Sequence, residues 1–222
     1  MFGLQFKKPI MSTAVAVALV FGVGTMMPDN ARAATCLAGD SATAASPALD
    51  TSDVTIDFMG GTLAASACAG LYDGNDVGSG GKLLNLLNGG LFAGLNDDWS
   101  LFGKSDEAGS GVTAPEATSG EFSINFTPNA FSTFVVSLKS STFFAAYLFD
   151  LTPDALTMVN GDFTMFGRIN PANNKQLFQD LSHLSVVTYG DATVVPIPAA
   201  GILLITALGG IGVATRRRRK SS

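Results

Sequence analysis

Reactive side chains are scarce in this chain. Its 222 residues include one histidine, His183, two cysteines and one tryptophan. Two cysteines and a distant histidine make a poor zinc set, so neither a metal nor another cofactor is expected. A nucleophile and base are equally hard to assemble. Ser182 adjoins His183, but neighbours on a strand face opposite sides, and no serine stands in the G-x-S-x-G turn that exposes a nucleophile. Asp180 lies nearby in sequence, yet His183 reads best as a structural residue. Basic residues are sparse too, away from the ends. Eight of the 13 Lys and Arg are terminal, which leaves five in residues 34–195 against 17 of the 18 acids, a net charge of about −12. Such a surface repels phosphate backbones, and no nucleic-acid partner is expected.

What is present is organised by the two ends. The start, "MFGLQFKKPIMSTAVAVALVFGVGTMMPDNARAAT", has Lys7 and Lys8, a short apolar stretch over residues 10–23, and the small-x-small sequence Ala31-Arg32-Ala33. That is an export signal, with signal peptidase expected to cut between Ala33 and Ala34. Fourteen apolar residues reach only about 21 Å as a helix, short of a bilayer core of roughly 30 Å. Export delivers the chain to an oxidising compartment, where a Cys36–Cys68 disulfide is the natural outcome. Two free thiols, or half of a metal site, are the alternatives.

Between the ends, residues 34–193 read as one β-rich domain. Val54, Ile56 and Phe58 alternate with polar residues, as do Phe122, Ile124 and Phe126, and Phe134, Val136 and Leu138 recur at the same period of two in "FVVSLKS". "FFAAYLFD" and "LSVVTYG" are continuously apolar, as strands covered on both faces are. Turn sequences such as "YDGNDVGSGG", "TPNA" and "INPANN" separate the runs. The pattern predicts an all-β domain, an antiparallel β-sandwich or jelly roll. One segment departs from it. "KLLNLLNGG" predicts a short amphipathic helix ended by Gly89-Gly90, or a buried loop. Asp73, Asn75 and Asp76 suggest calcium, but Val77 and Leu84 occupy ligand positions of the helix-loop-helix pattern, so an Asx-rich turn is the better reading. Trp99 and Tyr147 would offer sugar-stacking faces if exposed, although a tryptophan beside Leu101 and Phe102 is more often core.

The tail, residues 194–222, has three parts in fixed order. Val195, Pro196, Ile197, Pro198 and Ala199 come first, then an uncharged stretch over 197–215, then Arg216, Arg217, Arg218, Arg219 and Lys220. Nineteen uncharged residues make a helix of about 28 Å, enough to cross a bilayer. The basic cluster then stops transfer and stays in the cytoplasm, with the domain outside. The prolines lack backbone donors and keep the chain extended where a peptidase can bind it.

"VPIPA", a glycine-bearing apolar helix and an arginine cluster together resemble the PEP-CTERM class of bacterial sorting signals, in its VPLPA-type variant, with Ile197 where leucine is usual. "FVVSLKSSTFFAAYLFD" and "LSHLSVVTYG" resemble segments of exported proteins carrying that tail. The resemblance implies recognition by an exosortase-type membrane peptidase at residues 195–199 and transfer of the domain to the cell surface or matrix. It also implies an association with exopolysaccharide and biofilm production. The expectation is a non-enzymatic, surface-displayed protein whose partners are the membrane, signal peptidase and the exosortase-type peptidase. A polysaccharide-binding module is the alternative, and a hydrolase built on His183 a more distant one.

Overall fold

The computed structural model describes residues 36–194, apart from 43, 44, 46, 171, 174 and 192. The expected signal cleavage at Ala31, Ala33 and Ala34, the motif Val195 to Ala199, the apolar span and the basic cluster Arg216 to Lys220 all lie outside the described residues. Among the described residues no helix is long and apolar enough to cross a membrane.

The domain is all-β, and its strands fall mainly into two sheets. The larger runs in the order β1 (Leu37–Ala38), β4 (Ala67–Asp73), β10 (Phe143–Asp150), β9 (Thr133–Lys139), β14 (His183–Tyr189) and β5 (Trp99–Lys104). The smaller runs β3 (Gly61–Ala64), β2 (Val54–Phe58), β11 (Met158–Thr164), β7 (Ser119–Asn125) and β6 (Val112–Thr113). Two small ribbons pair β12 (Gly167–Ile169) with β13 (Gln176–Phe178), and β8 (Asn129–Ala130) with β15 (Thr193–Val194). Pairing within both main sheets is antiparallel except where β1 runs parallel to β4.

Side-chain alternation explains why the sheets face each other. Phe134, Val136 and Leu138 of β9, Ala145, Tyr147 and Phe149 of β10, and Leu184 and Val186 of β14 point to one side. There they share a core with Val54 and Ile56 of β2, Phe122 and Ile124 of β7, and Val159 and Phe163 of β11. Phe126 contributes a ring contact to each of Phe102, Phe131 and Phe134. Gly161 stands at an inward position of β11 because a Cβ there would meet the Phe122 ring at 2.7 Å and the Thr55 carbonyl oxygen at 2.1 Å.

The other side of the larger sheet is apolar as well. Val135, Phe144, Ala146, Leu148 and Val187 form a second core with Val77, Leu83, Leu87 and Phe92, which come from the segment between β4 and β5. That segment contains the one helix expected from sequence, α1 (Leu83–Asn88). Leu83 and Leu87, four apart and so on one helical face, are fully buried. Gly89 caps the helix and Gly90 follows with φ +86°, a conformation that other residues adopt only with strain. The continuously apolar runs of β10 and β14 are therefore covered on both faces, as their sequences predict. In β9 the alternating pattern is incomplete as a guide, since all seven residues are buried.

The disulfide joins Cys36 to Cys68 and fixes β1 against β4, where Leu37 sits opposite Ala69. The cysteines are 32 residues apart. Closing a loop of that length removes about 3–4 kcal/mol of chain entropy from the unfolded state. The double variant Cys36→Ser, Cys68→Ser is accordingly expected to lose about 3 kcal/mol in urea denaturation. An unchanged midpoint would show that the crosslink contributes no stability.

Candidate functional site

His183 opens β14 on the outward face of the larger sheet, directly opposite Lys139 of β9. Two residues along, Ser185 stands opposite Ser137. Period-two alternation puts all four side chains on the face covered by the β4–β5 segment. That segment delivers Asp76, which is 0% exposed, and its Oδ1 lies 2.9 Å from His183 Nε2. The Val77 amide also donates to Asp76 Oδ1, at 2.8 Å. The other ring nitrogen, Nδ1, is 3.7 Å from an oxygen of Asp106, which Lys104 holds at 3.1 Å.

The electrostatics follow from burial and partners. Burial pushes the Asp76 carboxyl up, but the His183 hydrogen bond and charge, helped by the Ser185 hydroxyl and the Val77 amide, outweigh it and hold the group below its ordinary value. An ionised carboxylate only accepts, so His183 Nε2–H is the donor. For Lys139, burial lowers the ammonium value and the nearby Asp76 charge opposes the shift. Its Nζ donates to the Ser140 carbonyl. Asp76 Oδ2, Ser137 Oγ and Ser185 Oγ are buried without a full hydrogen bond. The result is a closed polar layer inside the second core. His183, with a side chain 13% exposed, faces carboxylates from both ring nitrogens, and no described hydroxyl bonds to it.

Sequence reasoning placed His183 as structural but offered Asp180 as its acidic neighbour. The acids that face it are Asp76 and Asp106, brought from 107 and 77 positions away. Asp73 and Asp76 also diverge rather than converge as calcium ligands would. Asp73 accepts from Ser41 Oγ at 2.9 Å, while Asp76 turns inward.

The two aromatic candidates require correction. Trp99 is 5% exposed and its indole N–H donates to the Leu95 carbonyl at 3.0 Å, with Tyr189 packed on its ring. Tyr147 is 0% exposed and its hydroxyl donates to Asp53 Oδ2 at 3.0 Å. Neither ring presents a stacking face, because each sits at a position of a strand that the cores cover. Burial raises Asp53 above its ordinary value against the hydrogen bonds it accepts, and burial together with the Asp53 charge raises the Tyr147 phenol.

An open groove lies elsewhere, on the outward face of the smaller sheet. A groove of about 540 Å³ there is lined by Asp57, Thr113, Glu121, Ser123, Asn160 and Asp162. Glu121 stands directly opposite Asp162, and the Thr113 and Ser123 hydroxyls are 2.7 Å apart. Like charges in register are unfavourable, so this face suits hydroxyl-bearing or cationic ligands and disfavours anions. The alternation in "SGEFSIN" and "VTIDF" marks these residues as outward, but sequence does not show that the two strands share a neighbour, β11.

Two variants test the buried layer. Removing the partner of Asp76 by His183→Ala is expected to destabilise the domain by about 3 kcal/mol. Asp76, being depressed on folding, contributes fully above its ordinary value of 3.8 and loses that contribution as pH falls through the folded value. Asp53, being raised, has the opposite sign: its contribution is complete below 3.8 and is lost as pH rises through the folded value. Urea midpoints between about pH 2 and 6 should therefore fall less steeply toward acid in Asp76→Asn and more steeply in Asp53→Asn. Identical profiles in both variants would contradict these assignments. No protein family, characterised protein or solved structure matches the chain in comparison, so its chemistry is read from these residues alone.

Proposed function

We propose that this is an exported protein whose β domain works at the cell surface or in the matrix without catalysing a reaction. Its tail, in this reading, is the substrate of an exosortase-type membrane peptidase. The observation that carries the export half is the Cys36–Cys68 bridge, which pairs both cysteines of the chain and suits an oxidising compartment. The non-catalytic half is supported by His183, whose ring nitrogens face carboxylates rather than a nucleophile. The two facing sheets are read as a sandwich of the kind used for display, in line with the sequence expectation of a sandwich or jelly roll. The sorting half stands on sequence: Val195 to Ala199 as the recognised motif, the span over 197–215, and Arg216 to Lys220 as the stop.

Intact-mass measurement of the protein from fractionated cells tests the reading. A surface or matrix species beginning at Ala34 and lacking the basic tail is the expected outcome. A signal-free species in the cytoplasmic membrane that keeps Arg216 to Ser222 would rule out sorting by cleavage.

A second reading, polysaccharide binding, is favoured by the groove on the smaller sheet rather than by Trp99 or Tyr147. Titration calorimetry with polysaccharide fragments of the producing cells should then give heat that Glu121→Gln with Asp162→Asn abolishes. Equal heat from the double variant would exclude the groove.

A further inference from the structure

The ribbon of β12 and β13 belongs to neither main sheet. A two-stranded ribbon is marginal by itself, and Arg168 anchors this one, its guanidinium 5.4 Å from the centre of the Phe143 ring of β10. All three residues of β13 are exposed. Leu177 and Phe178 are neighbours on that strand and so point to opposite faces, which leaves an apolar side chain bare on each, at 37% and 54% exposure. The ribbon is also where unpaired bases gather. Residues 167–178 contain Arg168 and Lys175 and no acid. Of the other described bases, Lys82 is paired with Asp40, Lys104 with Asp106, and Lys139 is buried. Neither Arg168 nor Lys175 forms an ion pair with a described carboxylate.

The outward face of the smaller sheet carries the complementary features. Asp57, Glu121 and Asp162 line its groove, and none of them forms an ion pair with a described base. One end of the same face is apolar. Met158 lies four residues before Asp162 on β11, hence on the same side, and is 56% exposed. The antiparallel register that sets Gly161 opposite Ile56 brings Met158 to the end of the sheet where the β2–β3 turn holds Met59, 80% exposed. Six large apolar side chains among the described residues are exposed, and four of them stand on the ribbon or on this face. The groove opens away from the larger sheet, whereas the ribbon is tied to β10 within it, so the fitting partner for each is on a second copy.

We propose that copies of this protein associate head to tail, with the β12–β13 ribbon of one seated on the groove face of the next. Lys175 is placed between Glu121 and Asp162, whose like charges stand in register, and a cation there removes their mutual repulsion. The apolar side chains of the ribbon cover Met158 at the end of the groove. Because the contact joins two different patches, every added copy leaves one ribbon and one groove open, and assembly passes beyond the dimer. Domains of about −12 repel at long range, but physiological salt confines that repulsion to about 8 Å. Exposed ion pairs gain little, so the association is weak in dilute solution and is favoured where copies are crowded, as on a surface or in a matrix. The contact needs only the folded domain and holds whether or not the tail is cut.

Zero-length crosslinking of the full chain in its producing cells tests the contact. A carbodiimide joins a lysine amine to a touching carboxylate as an amide, taking up the water that is lost. Wild type should give a ladder of multimers in which peptide mass spectrometry finds Lys175 linked to Glu121 or Asp162. Lys175→Ala, and separately Glu121→Gln with Asp162→Asn, change exposed residues only and should each lower the multimer yield by at least about ten-fold. Produced together, the two variants should form a dimer and nothing larger, since one keeps only a working groove and the other only a working ribbon. A wild type without these links, a ladder that survives either variant, or a mixture that yields no dimer would overturn the proposal. Missing links combined with binding of polysaccharide fragments at Glu121 and Asp162 would assign the groove to sugar instead.

Discussion

The domain depends on one constraint: its larger sheet is apolar on both faces and must be covered twice. Strands β9, β10 and β14 carry large side chains in both directions. The smaller sheet covers one face. The other is covered by a chain segment that has little regular structure of its own beyond six helical residues. Leu83, Leu87, Phe92 and Val77 in that segment are buried because they have a sheet to press against, and a helix so short owes its stability to that packing. Among the described residues the smaller sheet bears no such cover. Its outward residues are mostly polar, Met158 at the start of β11 excepted, and this is why the open groove is lined by Asp57, Glu121, Asp162 and their hydroxyl-bearing neighbours.

The cover also explains the buried charges. Carrying Val77 into the second core brings Asp76 with it, and an ionised carboxylate there requires hydrogen bonds and positive neighbours. His183 supplies the first directly, and Lys139 stands opposite His183 across the strand pair. Burying such groups gains little net stability, but removing one partner leaves a charge stranded. The layer therefore acts as a register pin: a cover shifted by one residue would set Val77 against His183 and leave Asp76 unpaired. The disulfide makes a similar contribution at the sheet edge, holding a two-residue strand that could not pair stably alone.

Much of this was legible in the sequence. "VTIDF" and "EFSINF" show one-sided burial by alternation, and both lie in the smaller sheet, which is covered once. "FFAAYLFD" shows two-sided burial by its lack of alternation, and β10 is buried on both sides. β9 misled the pattern because its second face includes Ser137 and Lys139, polar types that read as outward but lie beneath the cover. The helix was visible as leucines followed by paired glycines. The site was not. Asp76 sits in a glycine-rich stretch that looks like a solvent turn, and its partner is 107 positions away. Local composition carries no information about such a pairing, which arises only once the segment folds back over the sheet. Trp99 and Tyr147 illustrate the converse, since each has a polar tip that made exposure plausible and that a single hydrogen bond satisfies inside.

Hydrogen exchange of the folded domain, read residue by residue, tests double coverage most directly. If the β4–β5 segment is an integral second layer, the amides of Leu86 and Leu87 and those at the centre of β9 exchange together, through opening of the whole domain. Exchange of the helix orders of magnitude faster than β9, accompanied by binding of a hydrophobic dye to the native protein, would mean that the cover opens on its own and that the larger sheet stands with one face bare.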